Sequence, residues 1–299
     1  MTRQLPCSGS FYALPARLPA AVIMVGFAMA AQARADGLYA GATDRVALDV
    51  PKDIAITAVG TIGAVVPLIF SDQLVPEKCR WCDGPVGSPV NAVDDWFHAH
   101  LTGWLIGANS ANTLSSVLAY AVTPAVAFGS TYFATGPHAT EGAGWRNVVI
   151  VAESVAVAGA ITENIKWIAA RQRPYAHYQN YANGAGGAPA DVNTSFPSGH
   201  TFLPAAAGTS AAMLATLEDS SAAPWLWAAT GVMTVATGTL RMMSESHYFT
   251  DVVTGAALGA GCGVVFPLLH RRGSLLAGSA RPAVLASPGG AILSVGGAF

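Results

Sequence analysis

Apolar residues in this chain come in long runs separated by short polar breaks. Residues 54–70 carry no charge, and residues 101–132 carry none either, with Asn109, Ser110 and Asn112 marking a break inside the second run. Residues 147–170 read as a helix in which Glu153, Glu163 and Lys166 sit among apolar neighbours, and runs at 201–217, 224–240 and 250–269 complete the series. Segments this long exceed ordinary strands. Their Ala, Gly and Thr content suits helices that pack backbone against backbone. Strand patterning is confined to 283–286 and 291–295, where Ser287-Pro288-Gly289-Gly290 offers a hairpin turn; an unstructured tail over 273–299 is the other reading. The expected fold is all-α, a helical bundle of about six core helices.

Composition narrows the class further. Of 299 residues, 52% are hydrophobic and only 11% charged, against about 25% charged in ordinary globular domains. Disorder is excluded, since it needs low hydrophobicity and high charge. A formal net charge of −2 lacks the basic footprint that nucleic acid requires. A buried helical bundle, a membrane protein, or both remain.

Arg3 and Arg17 precede an apolar stretch at 18–31, which leads into Ala33-Arg34-Ala35. A basic region, an apolar region and a small-x-small site form the pattern of a secretory signal peptide, 1–35, with cleavage before Asp36. An uncleaved anchor is the alternative. The helical domain then covers 36–272. Export makes Cys79-Arg80-Trp81-Cys82 readable as a local disulfide, because a redox or zinc role lacks the necessary context. Cys262 lies in a Gly/Ala run, where a buried thiol is the plain reading.

Three clusters carry chemistry against this charge-poor background. In Lys166-Trp-Ile-Ala-Ala-Arg-Gln-Arg173-Pro174, Lys166 and Arg173 stand two helical turns apart on one face, and Pro174 ends the helix. Two cations at a helix end suit an anion, although cations also cap helices unaided. Pro197-Ser198-Gly199-His200 immediately precedes an apolar run. Ser198 can cap the helix or bind phosphate, Gly199 admits close approach of a ligand, and His200 can exchange a proton. Finally, Arg241 is followed by His247 and Asp251. A helix opening near Tyr248 would place the Asp251 carboxylate beside the imidazole, as in other nucleophile–orienter pairs.

In this order and spacing the clusters resemble the signature of the type 2 phosphatidic acid phosphatase and vanadium haloperoxidase superfamily, K-x6-R-P, P-S-G-H and S-R-x5-H-x3-D. Leu240 stands where the third motif usually has serine, so one hydroxyl contact to phosphate is missing. The resemblance is firm over 152–269. It implies a haloperoxidase-like helical fold and a phosphatase in which His247 attacks phosphorus, Asp251 orients it, and His200 protonates the leaving group and then activates water. Lys166, Arg173, Ser198, Gly199 and Arg241 would hold the phosphoryl oxygens. No metal or other cofactor is implied, and the sequence shows no dense Asp/His ligand cluster. The implied partner is a lipid phosphate, phosphatidate or polyprenyl diphosphate, or a small phosphate ester, with a membrane and no nucleic acid. A soluble broad-specificity acid phosphatase, a vanadate-dependent haloperoxidase and a non-catalytic lipid-phosphate binder are the alternatives.

Other polar residues have plainer readings. His98 and His100 flank Ala99 ahead of a helix, Asp94 and Asp95 suit a cap, and Glu163 pairs with Lys166 one turn on. The stretch 175–195, with Tyr175, His177, Tyr178 and Tyr181, would overhang the pocket. If 112–132, 147–170, 201–217, 224–240 and 250–269 cross a membrane, the site faces outside, in the periplasm, with Arg271 and Arg272 inside. A crossing by 54–70 would reverse that, and a soluble domain would remove the question.

Overall fold

The computed structural model describes residues 44–179, 189–272, 281–287 and 290–296. The proposed leader and Tyr181 lie outside the described residues. Helix α1 spans Val50–Ile69, followed by the single turn α2, Ser71–Leu74. A loop holding the Cys79–Cys82 disulfide leads to α3, Ala92–Leu101. Helix α4, Ala108–Phe133, contains a π-helical segment at Leu118–Val122. The long helix α5 covers Ala143–Ala169, and two single turns, α6 (Pro174–His177) and α7 (Pro189–Val192), lie before α8, Gly199–Leu217. Helices α9, Ala223–Met243, and α10, Phe249–His270, close the bundle. A hairpin pairs β1, Arg281–Ser287, with β2, Gly290–Gly296, in antiparallel register.

The fold is all-α, as the patterning implied. Each helix begins or ends where local chemistry dictates. Asn91 caps α3 by accepting from the amides of Val93 and Asp94, and Ser198 caps α8. The break expected near Asn109 falls just before it: α3 ends at Leu101 and Ala108 opens α4 behind Gly107.

The core lies between α5, α8 and α10. Val151, Val155 and Ala158 of α5 meet Leu203, Ala206, Ala207 and Leu214 of α8. Helix α10 approaches α8 through Gly255, Gly259 and Gly263, which recur every four residues and share one face. A Cβ at Gly259 would lie 2.3 Å from the Phe202 carbonyl oxygen, and one at Gly255 would lie 2.5 Å from that of Ser198. Only glycine permits this backbone contact. The register it sets places the start of α10 against the start of α8.

Four helices are long and apolar enough to cross a membrane: α1, α4, α5 and α10. Their outward faces are apolar as well, with Val59 71% and Phe133 81% exposed; α9 adds Val232 at 69%. Helix α1 is not a peripheral segment. It packs along α5, where Gly60 lies against Ala156 and Gly63 against Ala160, and Asn164 donates to the Gly63 carbonyl at 3.0 Å. Its first turn lies beside the end of α10, with Ala47 N–H donating to His270 O at 2.9 Å.

Candidate active site

The three clusters converge at one end of the bundle. Helices α5 and α9 finish there, bringing Lys166, Arg173 and Arg241. Helices α8 and α10 begin there, bringing Ser198, Gly199, His200, His247 and Asp251. Lys166, Arg173, Arg241, Ser198, His247 and Asp251 are all buried. The charges of Arg241, Lys166 and Arg173 act on both His200 and His247, and His247 acts on His200.

His247 is set with care. Its Nδ1 lies 2.6 Å from the Ser195 carbonyl oxygen, which can only accept, so Nδ1 carries the proton. The lone pair is therefore on Nε2, which meets Arg173 Nη1 at 3.3 Å. Burial, followed by Arg173, Arg241 and Lys166, pushes the His247 pKa well below the usual histidine range. The ring is thus neutral, with its nucleophilic nitrogen facing the cations.

Asp251 stands differently from the sequence expectation. Its Oδ2 is 3.8 Å from His247 Nδ1, beyond hydrogen-bond range. It instead accepts from Arg171 Nη1 at 2.6 Å, Ser195 Oγ at 2.5 Å and the Tyr248 amide at 2.9 Å. The carboxylate therefore reaches the imidazole only through Ser195, whose carbonyl accepts a hydrogen bond from Nδ1. The Tyr248 contact is half of a capping box that starts α10.

Each phosphate-holding candidate has definite surroundings. Lys166 Nζ pairs with Glu163 at 2.7 Å. A Cβ on Gly199 would fall 2.6 Å from Lys166 Nζ, so any larger residue there displaces the ammonium. Ser198 turns its hydroxyl to Thr201 Oγ1 at 2.8 Å and caps the helix; the N–H groups of Gly199 and His200 open α8 and have no acceptor within it. Arg173 binds Asp191 at 2.8 Å and Thr194 at 3.1 Å. Arg241 donates to Asn112 Oδ1 and, at 3.5 Å, to Ser115 Oγ. It has no carboxylate partner among the described residues, and its Nε is unpaired. A buried guanidinium without an acid is costly unless an anion joins it.

Several contributors went unread in the sequence. Ser116 of α4 meets His200 Nε2 at 3.1 Å, and Tyr120 packs edge-on to that ring at 4.8 Å. Asn112, Ser115 and Ser116 share a helix face in an otherwise uncharged run, which is the signal that could have marked them. Arg171 was passed over inside the first motif. It is wholly buried and pairs with Asp83 at 2.7 Å, Asp94 at 2.8 Å and Asp251 at 2.6 Å. Trp81 and Tyr248 stack on it at 4.3 and 4.0 Å.

Asp94 does not cap its own helix, a role taken by Asn91. It accepts from Thr250 N at 2.9 Å and so serves the start of α10. His98 pairs with Glu245 at 3.0 Å and stacks on Tyr178, while His100 returns to the Trp96 carbonyl at 2.7 Å; neither joins a ligand cluster. Of the overhanging stretch, Tyr175 reaches Asp191 at 3.2 Å and Tyr178 reaches Asp95 at 2.6 Å. His177 donates into the disulfide-bearing loop region, at Ser88 O, 2.7 Å away.

A buried cluster of cations with two histidines thus lies at one end of the helical bundle, where its charge would attract an anion. Residues 147–274 match the family model of the PAP2 superfamily. Its members are phosphatases or related enzymes. Comparison with curated proteins and with solved structures gave no match.

Arg171 is the most consequential residue to remove. Arg171→Met should destabilise the protein by about 3–5 kcal/mol, because it leaves three buried carboxylates without their cation. The apparent unfolding midpoint of the detergent-solubilised protein reads this. A midpoint equal to the unaltered protein's would refute the assigned role.

Proposed function

We propose that the protein hydrolyses a phosphate monoester or diphosphate of a membrane lipid, of the phosphatidate or polyprenyl diphosphate type, through a phosphohistidine on His247. The observation that carries this reading is the buried, acid-free guanidinium of Arg241 beside a neutral His247. A tetrahedral anion between them would be held by Arg241, Arg173, Lys166 and the Gly199 N–H, with Ser198 keeping that helix end in place. His247 Nε2 attacks phosphorus as the ester oxygen leaves, and His200 gives that oxygen its proton. His200 then takes a proton from water, whose oxygen displaces the phosphoryl group from His247. Fixed cations carry the developing charge, so no metal enters the chemistry. Leu240 supplies no hydroxyl, and the oxygens lose one contact there.

A lipid substrate is supported by the four apolar helices and their uncovered outer faces. Substrate in the bilayer would reach a site at the bundle's end by lateral diffusion. Two features favour that end facing the periplasm from an inner membrane. The Cys79–Cys82 disulfide docks beside it, with Gln172 N–H donating to Trp81 O at 3.1 Å, and disulfides persist outside the cytosol. Exposed Arg45, Lys52, Arg271 and Arg272 at the opposite end outnumber exposed Lys78 and Arg80 at this one, in the sense of the positive-inside rule. With α1 crossing the full bundle, its start and the end of α10 share a side. A leader cleaved before Asp36 would put both of them outside, so that leader and this orientation exclude each other, and the orientation is argued from the disulfide and the basic residues alone.

The activity is tested with purified protein in detergent and EDTA, offered lipid and water-soluble phosphate esters in parallel. Phosphate release should persist and favour the lipid. His247→Ala should abolish it, and His200→Ala should slow it about 10²–10⁴-fold; turnover by His247→Ala would refute the nucleophile.

Acidity supplies a second check. A lowered pKa keeps Nε2 unprotonated as pH falls through 6.5, the free-histidine value, so kcat/KM should show no acid limb there. A limb at the ordinary histidine pKa would contradict the neutral, cation-flanked ring.

Orientation is read by impermeant maleimide on intact cells. Lys78→Cys, at the site end, should label and Lys52→Cys should not; the reverse pattern would place the site inside.

A further inference from the structure

The opposite end of the bundle holds a second cluster, which the sequence did not reveal because its members are far apart in the chain. Asp53 of α1, Glu153 of α5 and His270 of α10 are 0%, 1% and 6% exposed. One ligand atom from each lies within 4.8 Å of the others. His270 Nε2 stands 3.2 Å from Asp53 Oδ2 and 3.3 Å from Glu153 Oε2. Along α10 the nineteen-residue step from Asp251 puts this cluster about 28 Å from the phosphate site.

We propose that Asp53, Glu153 and His270 bind a divalent transition-metal cation of the zinc class, which clasps three helices at that end. The proton on His270 is already placed: Nδ1 donates to the Phe266 carbonyl at 2.8 Å, so in the neutral ring Nε2 presents a lone pair to two carboxylates. Lone pairs facing one another need a positive charge between them. A second proton on Nε2 would supply it as an ion pair with both acids; a metal would supply it while also engaging Nε2, Glu153 Oε2 and Asp53 Oδ1, which are buried without a hydrogen-bond partner.

The spacing suits a metal. Zinc bonds nitrogen and carboxylate oxygen at about 2.0–2.2 Å, so its ligand atoms stand roughly 3.0–3.4 Å apart at angles between octahedral and tetrahedral. The donor set, one imidazole and two carboxylates, matches borderline divalent ions, and a dication cancels the two acids. The Nδ1–H bond to a backbone carbonyl is the usual outer support of a ligating histidine. Around the cluster, Asp53 Oδ2 also accepts from the Asp49 amide at 2.7 Å, and Lys52 Nζ lies 3.7 Å from Oδ1. Lys52 is half exposed and screens one carboxylate only in part.

The test uses tag-free full-length protein in detergent, stripped with chelator, dialysed against Zn²⁺ alone and desalted. Elemental analysis should find one zinc per chain. Competition with a chromogenic chelator should show affinity falling about 100-fold or more in Glu153→Gln and His270→Gln, and Zn²⁺ should raise the unfolding midpoint of the unaltered protein but not of those variants. His98→Ala and His100→Ala, at histidines outside the cluster, should leave the stoichiometry intact. Unaltered protein that retains no zinc, or variants that bind as tightly as it does, would overturn the site. The zinc content of the unaltered chain decides the matter even if a variant fails to fold. Failure here would leave the phosphatase reading untouched, since EDTA-resistant turnover concerns the far end of the bundle.

Discussion

The geometry of this protein hangs on the buried guanidinium of Arg171. Burying a charge is expensive, and a single ion pair seldom offsets the loss of water. Here three carboxylates, a hydroxyl and two aromatic faces surround the group. The polar partners come from three elements: Asp83 from the disulfide-bearing loop, Asp94 from α3, and Thr250 and Asp251 from α10. Arg171 therefore holds those elements together and fixes Asp251. Asp251 fixes Ser195, and the Ser195 carbonyl fixes the tautomer of His247. The Nε2 lone pair of His247 is aimed by a chain of contacts that begins at Arg171.

The two ends of the bundle have opposite character. At the phosphate end, Lys166, Arg173 and Arg241 meet the N-termini of α8 and α10, whose dipoles add to the positive potential. At the far end, Asp44 pairs with Arg146 and Asp53 and Glu153 gather round His270. Between them the interior is small and apolar, and α10 slides onto α8 along its glycines. Such packing suits a helix whose other side meets lipid, since close backbone contact replaces the hydrophobic drive that water would supply.

Much of the fold was legible because helices obey local rules. The apolar runs at 147–170, 201–217 and 250–269 correspond to α5, α8 and α10, and caps at Ser198 and Tyr248 mark their starts. The run at 54–70 was ambiguous for a physical reason. Its length and hydropathy say that it is an apolar helix, while its docking depends on Gly60 and Gly63 finding Ala156 and Ala160 on α5. No local pattern records such a match.

The same divide runs through the site. Chemistry marked locally, such as His200 at the start of α8, was readable from the covalent order, whereas the expected helical spacing of Lys166 and Arg173 fails: α5 ends at Ala169, and Arg173 reaches the site from extended backbone beyond it. The amino-acid order alone determined an all-α bundle and marked out the cations and histidines that gather at one end of it. Tertiary structure alone decided that Asp251 reaches His247 through Ser195, that Arg171 joins three acids, that Ser116 meets His200, and that Asp53, Glu153 and His270 converge. Those pairings depend on the relative register of packed helices, which glycine contacts and buried charges select only once the chain has folded.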